Sequence, residues 1–74
     1  MISMTIRLYR GRNTIPNAKI EYSDGFDPDW TGSDGVAHLQ WSDRHRGRKV
    51  SVYYERRYLG DLVVKEGGNP WFEV

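Results

Sequence analysis

The sequence predicts an all-β fold: a small antiparallel β-sandwich of six or seven short strands, with a small β-barrel as the alternative way of closing the same strands. Three observations lead there. Apolar residues recur at every second position in most stretches, the period that gives a strand one buried and one solvated face. Nowhere do they recur at three and four over the roughly ten or more residues of a helix, and β-branched and aromatic residues dominate. Turn formers such as Asp24-Gly25, Asp27-Pro28 and Asp34-Gly35 punctuate the chain at near-regular intervals.

The elements follow in order. Ile2, Met4, Ile6 and Leu8 alternate with Ser3, Thr5, Arg7 and Tyr9, which makes a first strand, and Arg10 to Asn13 read as a turn. Pro16 fixes its backbone just before Ala18, Ile20 and Tyr22 resume the alternation. Ser23 to Trp30 read as the longest loop. Asp34-Gly35 supplies the positive φ of a tight turn ahead of a strand over Val36 to Trp41. Ser42 to Gly47 connect to Lys49–Glu55, where Val50 and Val52 share one face. Glu55 to Arg57 reverse the chain, and Tyr58 to Lys65 return with a bulge at Gly60. Gly67 to Pro70 break it again before a short strand at Trp71–Val74. The expected core is Ile6, Leu8, Ile20, Leu39, Trp41, Val50, Val52, Leu62 and Val64. Met4 opens a frame of its own, so residues 1–3 read as dispensable.

Seventy-four residues support one core, so residues 1–74 form a single domain. No cysteine is present, which excludes disulfides, thiolate metal sites and a cysteine nucleophile and leaves packing to hold the fold. The formal net charge of +1 commits the chain to neither nucleic acid nor membranes. No window approaches the roughly 18 consecutive apolar residues of a membrane span, and no secretory signal opens the chain as given. The protein is therefore read as cytoplasmic, or as a mature fragment of an exported precursor.

Catalysis finds little support. Two histidines, His38 and His45, are too few for an imidazole metal site, and nothing fixes a triad from Ser42, Asp43 and His45. No glycine-rich stretch leads into a helix that would cradle phosphate. The reading is of a protein that is not an enzyme and needs no cofactor.

Three binding surfaces are candidates. Glu21 to Asp34 carry five acids and no base, and Asp24, Asp27, Asp29 and Asp34 offer hard oxygen ligands for calcium, although turn formation and solvation explain the same residues. Arg44, Arg46, Arg48, Lys49, Arg56 and Arg57 place six charges on two neighbouring connections, with Tyr53, Tyr54 and Tyr58 interleaved, a composition suited to nucleic acid. A solvated loop with snorkelling arginines accounts for it equally. Trp30 and Trp71 stand at strand ends, where exposed rings would stack on sugars or a protein partner, while a domain without disulfides favours packing them inside.

Two stretches, Gly11 with Ile15-Pro16-Asn17-Ala18-Lys19-Ile20 and Thr31-Gly32-Ser33-Asp34-Gly35-Val36-Ala37-His38-Leu39, resemble the carboxypeptidase regulatory-like domains with their transthyretin-like (prealbumin-like) β-sandwich. Gly47 to Tyr54 and Tyr58-Leu59-Gly60 extend the likeness to about Val64. The resemblance implies a non-catalytic module that stabilises or tethers attached domains or serves as an adhesive unit. The expected function is thus a binding or structural module acting through protein contacts or self-association. The alternatives are nucleic-acid binding by residues 44–57 and calcium or carbohydrate binding by the acidic loop 21–34.

Overall fold

The alternation that begins at Ile2 becomes the longest strand and the spine of the molecule. The computed structural model describes all 74 residues. Its strands are β1 (Ile2–Arg10), β2 (Asn13–Thr14), β3 (Lys19–Tyr22), β4 (Asp29–Trp30), β5 (Val36–Trp41), β6 (Lys49–Tyr54), β7 (Arg57–Val63) and β8 (Trp71–Glu73), with one turn of 3₁₀ helix at Asp43–His45. In the first sheet β1 is central: β5 pairs antiparallel with Ile2–Arg7 and β2 with Tyr9–Arg10. The opposite edge of β1 carries β8, running parallel to Arg7–Tyr9. The second sheet runs β4-β3-β6-β7, antiparallel throughout. The two sheets do not close into a barrel, so the sandwich is the fold.

Each inward position of the alternation meets the other sheet. Ile2, Met4, Ile6, Leu8, Ala37, Leu39, Trp41 and Phe72 from the first sheet pack on Ile20, Tyr22, Val50, Val52, Leu62 and Val64 of the second region. All nine residues expected in the core are buried. Burying a side chain such as Leu39 or Val52 is worth about 1.5–3 kcal/mol, and here that has to offset chain entropy without disulfides. Ile2 is buried opposite Trp41 and Ser3 pairs with Gln40, so of residues 1–3 these two belong to the sheet and are not dispensable.

Three readings are corrected by the hydrogen bonding. Eight strands form where six or seven were expected, because two-residue pairings turn part of the Arg10–Asn13 turn and the end of the Ser23–Trp30 loop into β2 and β4. The pairing of β8 with β1 is parallel, since the Lys65–Pro70 segment returns the chain to the start of the sheet before β8 begins. Trp30 and Trp71 are 58% and 64% exposed rather than packed, because each lies at the outward position of its short strand.

The reversal between β6 and β7 has positive φ at both Glu55 and Arg56, the two-residue geometry that matches strand twist. Val52 opposes Gly60 while Tyr53 opposes Tyr58, so Leu59 is the extra residue of the bulge. Where the chain crosses between sheets from β2 to β3 and again from β4 to β5, Thr31 acts as a clamp. Its buried hydroxyl accepts from the Ala18 N–H at 2.8 Å and donates to the Ile15 carbonyl at 2.7 Å. Its backbone bonds Asn17 and Ala18 as well. Gly35, in the second crossing, lies so close that a Cβ there would sit 2.5 Å from the Thr14 Cβ.

Thr31→Val keeps the shape but strands the buried Ala18 N–H and Ile15 carbonyl, which should cost about 1–3 kcal/mol. Thr31→Ser retains the hydroxyl and should cost less. Urea unfolding of the two variants checks this order, and a valine variant as stable as the parent would refute the clamp.

Candidate binding surfaces

Strand pairing decides which outward residues meet. Along β8, Phe72 points inward, so Trp71 and Glu73 point out. Register sets Trp71 beside Arg7 and Glu73 beside Tyr9. The Tyr9 and Trp71 rings meet edge to face, centroids 6.1 Å apart at 83°. With Gly11 and Asn69 these residues line an open cleft of about 530 Å³ on the outer face of the first sheet.

The outer face of the second sheet carries a different set. Trp30 is exposed on β4, and the Lys19 ammonium lies 5.9 Å from its ring centroid. Tyr53 and Tyr58 pair across β6 and β7 with centroids 5.8 Å apart. Below them one oxygen of Asp61 accepts from the hydroxyls of Tyr58 and Ser51, both at 2.9 Å. Those hydrogen bonds hold the Asp61 carboxyl below the usual carboxylate range, and the bond to Asp61 pushes the Tyr58 hydroxyl up.

The basic residues expected to form one patch do not. Arg44, Arg46, Arg48 and Lys49 stand at the start of β6 and Arg56 and Arg57 beyond its end, separated by a six-residue strand, about 20 Å of extended chain. At the first end three cations are ion-paired: Arg46 with Asp43 at 3.3 Å, Arg48 with Asp24 at 3.2 Å, and the Met1 ammonium with Asp43 at 3.0 Å, while Arg44 and Lys49 are not. That ammonium, by hydrogen bond and charge, keeps Asp43 below the ordinary carboxylate range. At the second end Arg57 shares a small cavity with Arg10, Tyr54, Glu55 and Val74. Arg10, Arg12, Arg56 and Arg57 make no ion pair. Arg10 was not legible as a neighbour of Arg57, because only the meeting of the ends of β1 and β6 brings the two together.

The acidic loop disperses. Asp24 pairs with Arg48, Asp29 bonds Tyr22, and Asp34 accepts from the Val36 N–H at the far end of the sandwich. No three acids or histidines stand close enough to hold a metal ion. What the loop does form is a plug: Phe26 stacks on Trp41 at 4.8 Å, His45 meets Phe26 edge-on at 4.8 Å, and the Arg48 guanidinium lies 5.7 Å from the Phe26 centroid. His38 is an exposed strand residue.

The class is thus an open two-sheet β-sandwich with exposed aromatics on both outer faces. Comparison with protein-family models, curated proteins and solved structures finds no match for this chain.

The buried Tyr22 hydroxyl donates to Asp29 at 2.9 Å. Burial, then the Asp29 charge and hydrogen bond, raise it above the ordinary tyrosine range. Asp29 is itself raised by burial, with the Tyr22 bond opposing and Asp27 adding. Folded Tyr22 holds its proton to higher pH than the unfolded chain does, so its contribution is full below about pH 10 and is lost as pH rises further. Tyr54, raised first by burial, and Tyr58 act in the same direction. Tyr22→Phe should therefore make the alkaline fall in Tm shallower without abolishing it. Melting curves between about pH 8 and about pH 11 check this, and an unchanged slope would refute it.

Proposed function

We propose that the protein is a non-catalytic binding module that works through protein contacts made by the Arg7, Tyr9, Trp71 and Glu73 surface. The observation that carries this is Trp71, 64% exposed on a strand held in place by β1, with Tyr9 and Arg7 against it. Trp, Tyr and Arg are the residues that most often dominate binding energy at protein interfaces, because they bury large area with few rotamers. A solvated Trp contributes nothing to a core that a small domain needs, so its place outside favours a partner. Arg7 and Glu73 give the patch both signs of charge, which suits a two-fold contact between copies as well as a foreign partner. The resemblance to carboxypeptidase regulatory-like domains, which tether or stabilise their neighbours, supports the same reading.

A benzophenone side chain at position 71, introduced in the cells the protein comes from, should yield one dominant protein adduct on irradiation, absent when the probe sits at position 66. Trp71→Ala should weaken the same complex by about 2 kcal/mol, roughly thirtyfold. Sedimentation of the purified protein tells a second copy from a different partner. No adduct, or the same adducts from both positions, would overturn the reading.

A further inference from the structure

The outer face of the second sheet carries a separate site, and we propose that it binds single-stranded nucleic acid, with bases on Trp30, Tyr53 and Tyr58 and phosphates on the arginines at the end of the sandwich. The argument begins with charge. The protein has a net charge of only +1, yet its ion pairs are concentrated at one end, where Asp43 pairs with Arg46 and the Met1 ammonium and Asp24 pairs with Arg48, which leaves Arg44 and Lys49 as the cations without an ion pair there. The other end is left with Arg10, Arg12, Arg56 and Arg57, none ion-paired. Two tight reversals create this end: Gly11, at φ +63, lies between Arg10 and Arg12, while Glu55 and Arg56 both hold positive φ just before Arg57. Four unpaired guanidiniums on adjoining turns form a local positive rim suited to phosphates, which they engage with planar, multidentate donors.

The rim borders an aromatic face. Tyr54 pairs with Arg57 on the inward side of the sheet, where Arg57 meets Arg10 at the open end of the sandwich, and the next pair along the same two strands, Tyr53 with Tyr58, points outward, so a single strand reaches both by passing round that end. Tyr58 is 54% exposed, and its hydroxyl bond to Asp61 fixes the phenol in place. Trp30 lies on β4, two strands from β6, with Lys19 against it, and two residues out of level with Tyr53; at about 4.8 Å between strands and about 3.4 Å per residue it lies about 12 Å from Tyr53. A four-stranded sheet that presents aromatic rings on separate strands, with basic residues at its border, offers platforms for two or three unstacked bases. A duplex hides its base faces and would meet only the arginines. Glu21, Glu55 and Asp61 lie on or beside this surface, so attraction is local and affinity falls in the micromolar range at low salt.

The test uses the intact protein and fluorescein-labelled oligothymidylate, read by anisotropy. Four phosphate contacts to a single strand give a log–log salt slope of about −3, roughly a fiftyfold weakening between 50 and 200 mM salt. Reversing Arg56→Glu with Arg57→Glu should weaken binding at least tenfold, whereas Arg46→Glu with Arg48→Glu, the two arginines held in ion pairs at the other end, should change it less than twofold. Tyr58→Leu should weaken it severalfold, and Tyr58→Phe, which keeps the ring and loses only the hydroxyl, should not. Circular dichroism confirms that each variant is folded; if the double reversal is not, Arg56→Gln with Arg57→Gln replaces it with the same expected order. Absence of binding at 50 mM salt, equal losses from the two reversed pairs, or a duplex bound as tightly as the single strand would overturn the proposal. So would an unaffected Tyr58→Leu variant that binds heparin as well as it binds the oligonucleotide, since that is charge without stacking.

Discussion

The fold depends on one corner where the chain changes sheets twice. Ile15 to Ala18 carry it from β2 to β3, and Thr31 to Gly35 carry it back from β4 to β5. Backbone at such a crossing leaves the ladders, so its polar groups need other partners if they are buried. Thr31 supplies them from a single side chain, donating to Ile15 and accepting from Ala18, and its own N–H reaches the Ala18 carbonyl at 2.9 Å. The absence of a Cβ at Gly35 lets the second crossing press against Thr14 of the first. With the crossings locked, the relative placement of the two sheets is fixed, and no disulfide is needed to hold it.

That placement explains what could be read from the sequence and what could not. Period-two alternation identifies inward residues strand by strand, and it does so correctly from Ile6 to Val64 because each buried face is set by local backbone geometry. Pairing between distant segments has no such local signature. Nothing about Trp71 to Glu73 in isolation says that they run parallel to Arg7–Tyr9, so Tyr9 could be read as outward-facing but not as the neighbour of Trp71. The same limit misplaced the basic residues. The basic residues between Arg44 and Arg57 are close in the chain, yet a strand between them sends the two groups to opposite ends, while Arg10 arrives beside Arg57 from far away.

The acidic loop shows how a cluster by sequence is resolved by packing. Phe26 has to reach Trp41 to seal the end of the sandwich, and that fold-over turns the flanking carboxylates in different directions. Asp24 is taken by Arg48 and Asp29 by the Tyr22 hydroxyl, each an interaction that uses the lone pairs a cation would require. Charge matching and ring stacking at this end are one construction, since Arg48 bonds Asp24 and also covers the face of Phe26.

Sealing one end with aromatics and acid–base pairs leaves the remaining large side chains free of structural duty. The core is complete without Trp30, Tyr58 and Trp71, which therefore lie outside at no cost to packing. They divide between the two sheets, Trp71 on the outer face of one and Trp30 and Tyr58 on the outer face of the other, with the core between them. Two sheets packed at about 10 Å keep the two sets of rings on opposite sides, and the surfaces approach one another only at the Gly11 turn, which lines the Trp71 cleft and lies between Arg10 and Arg12.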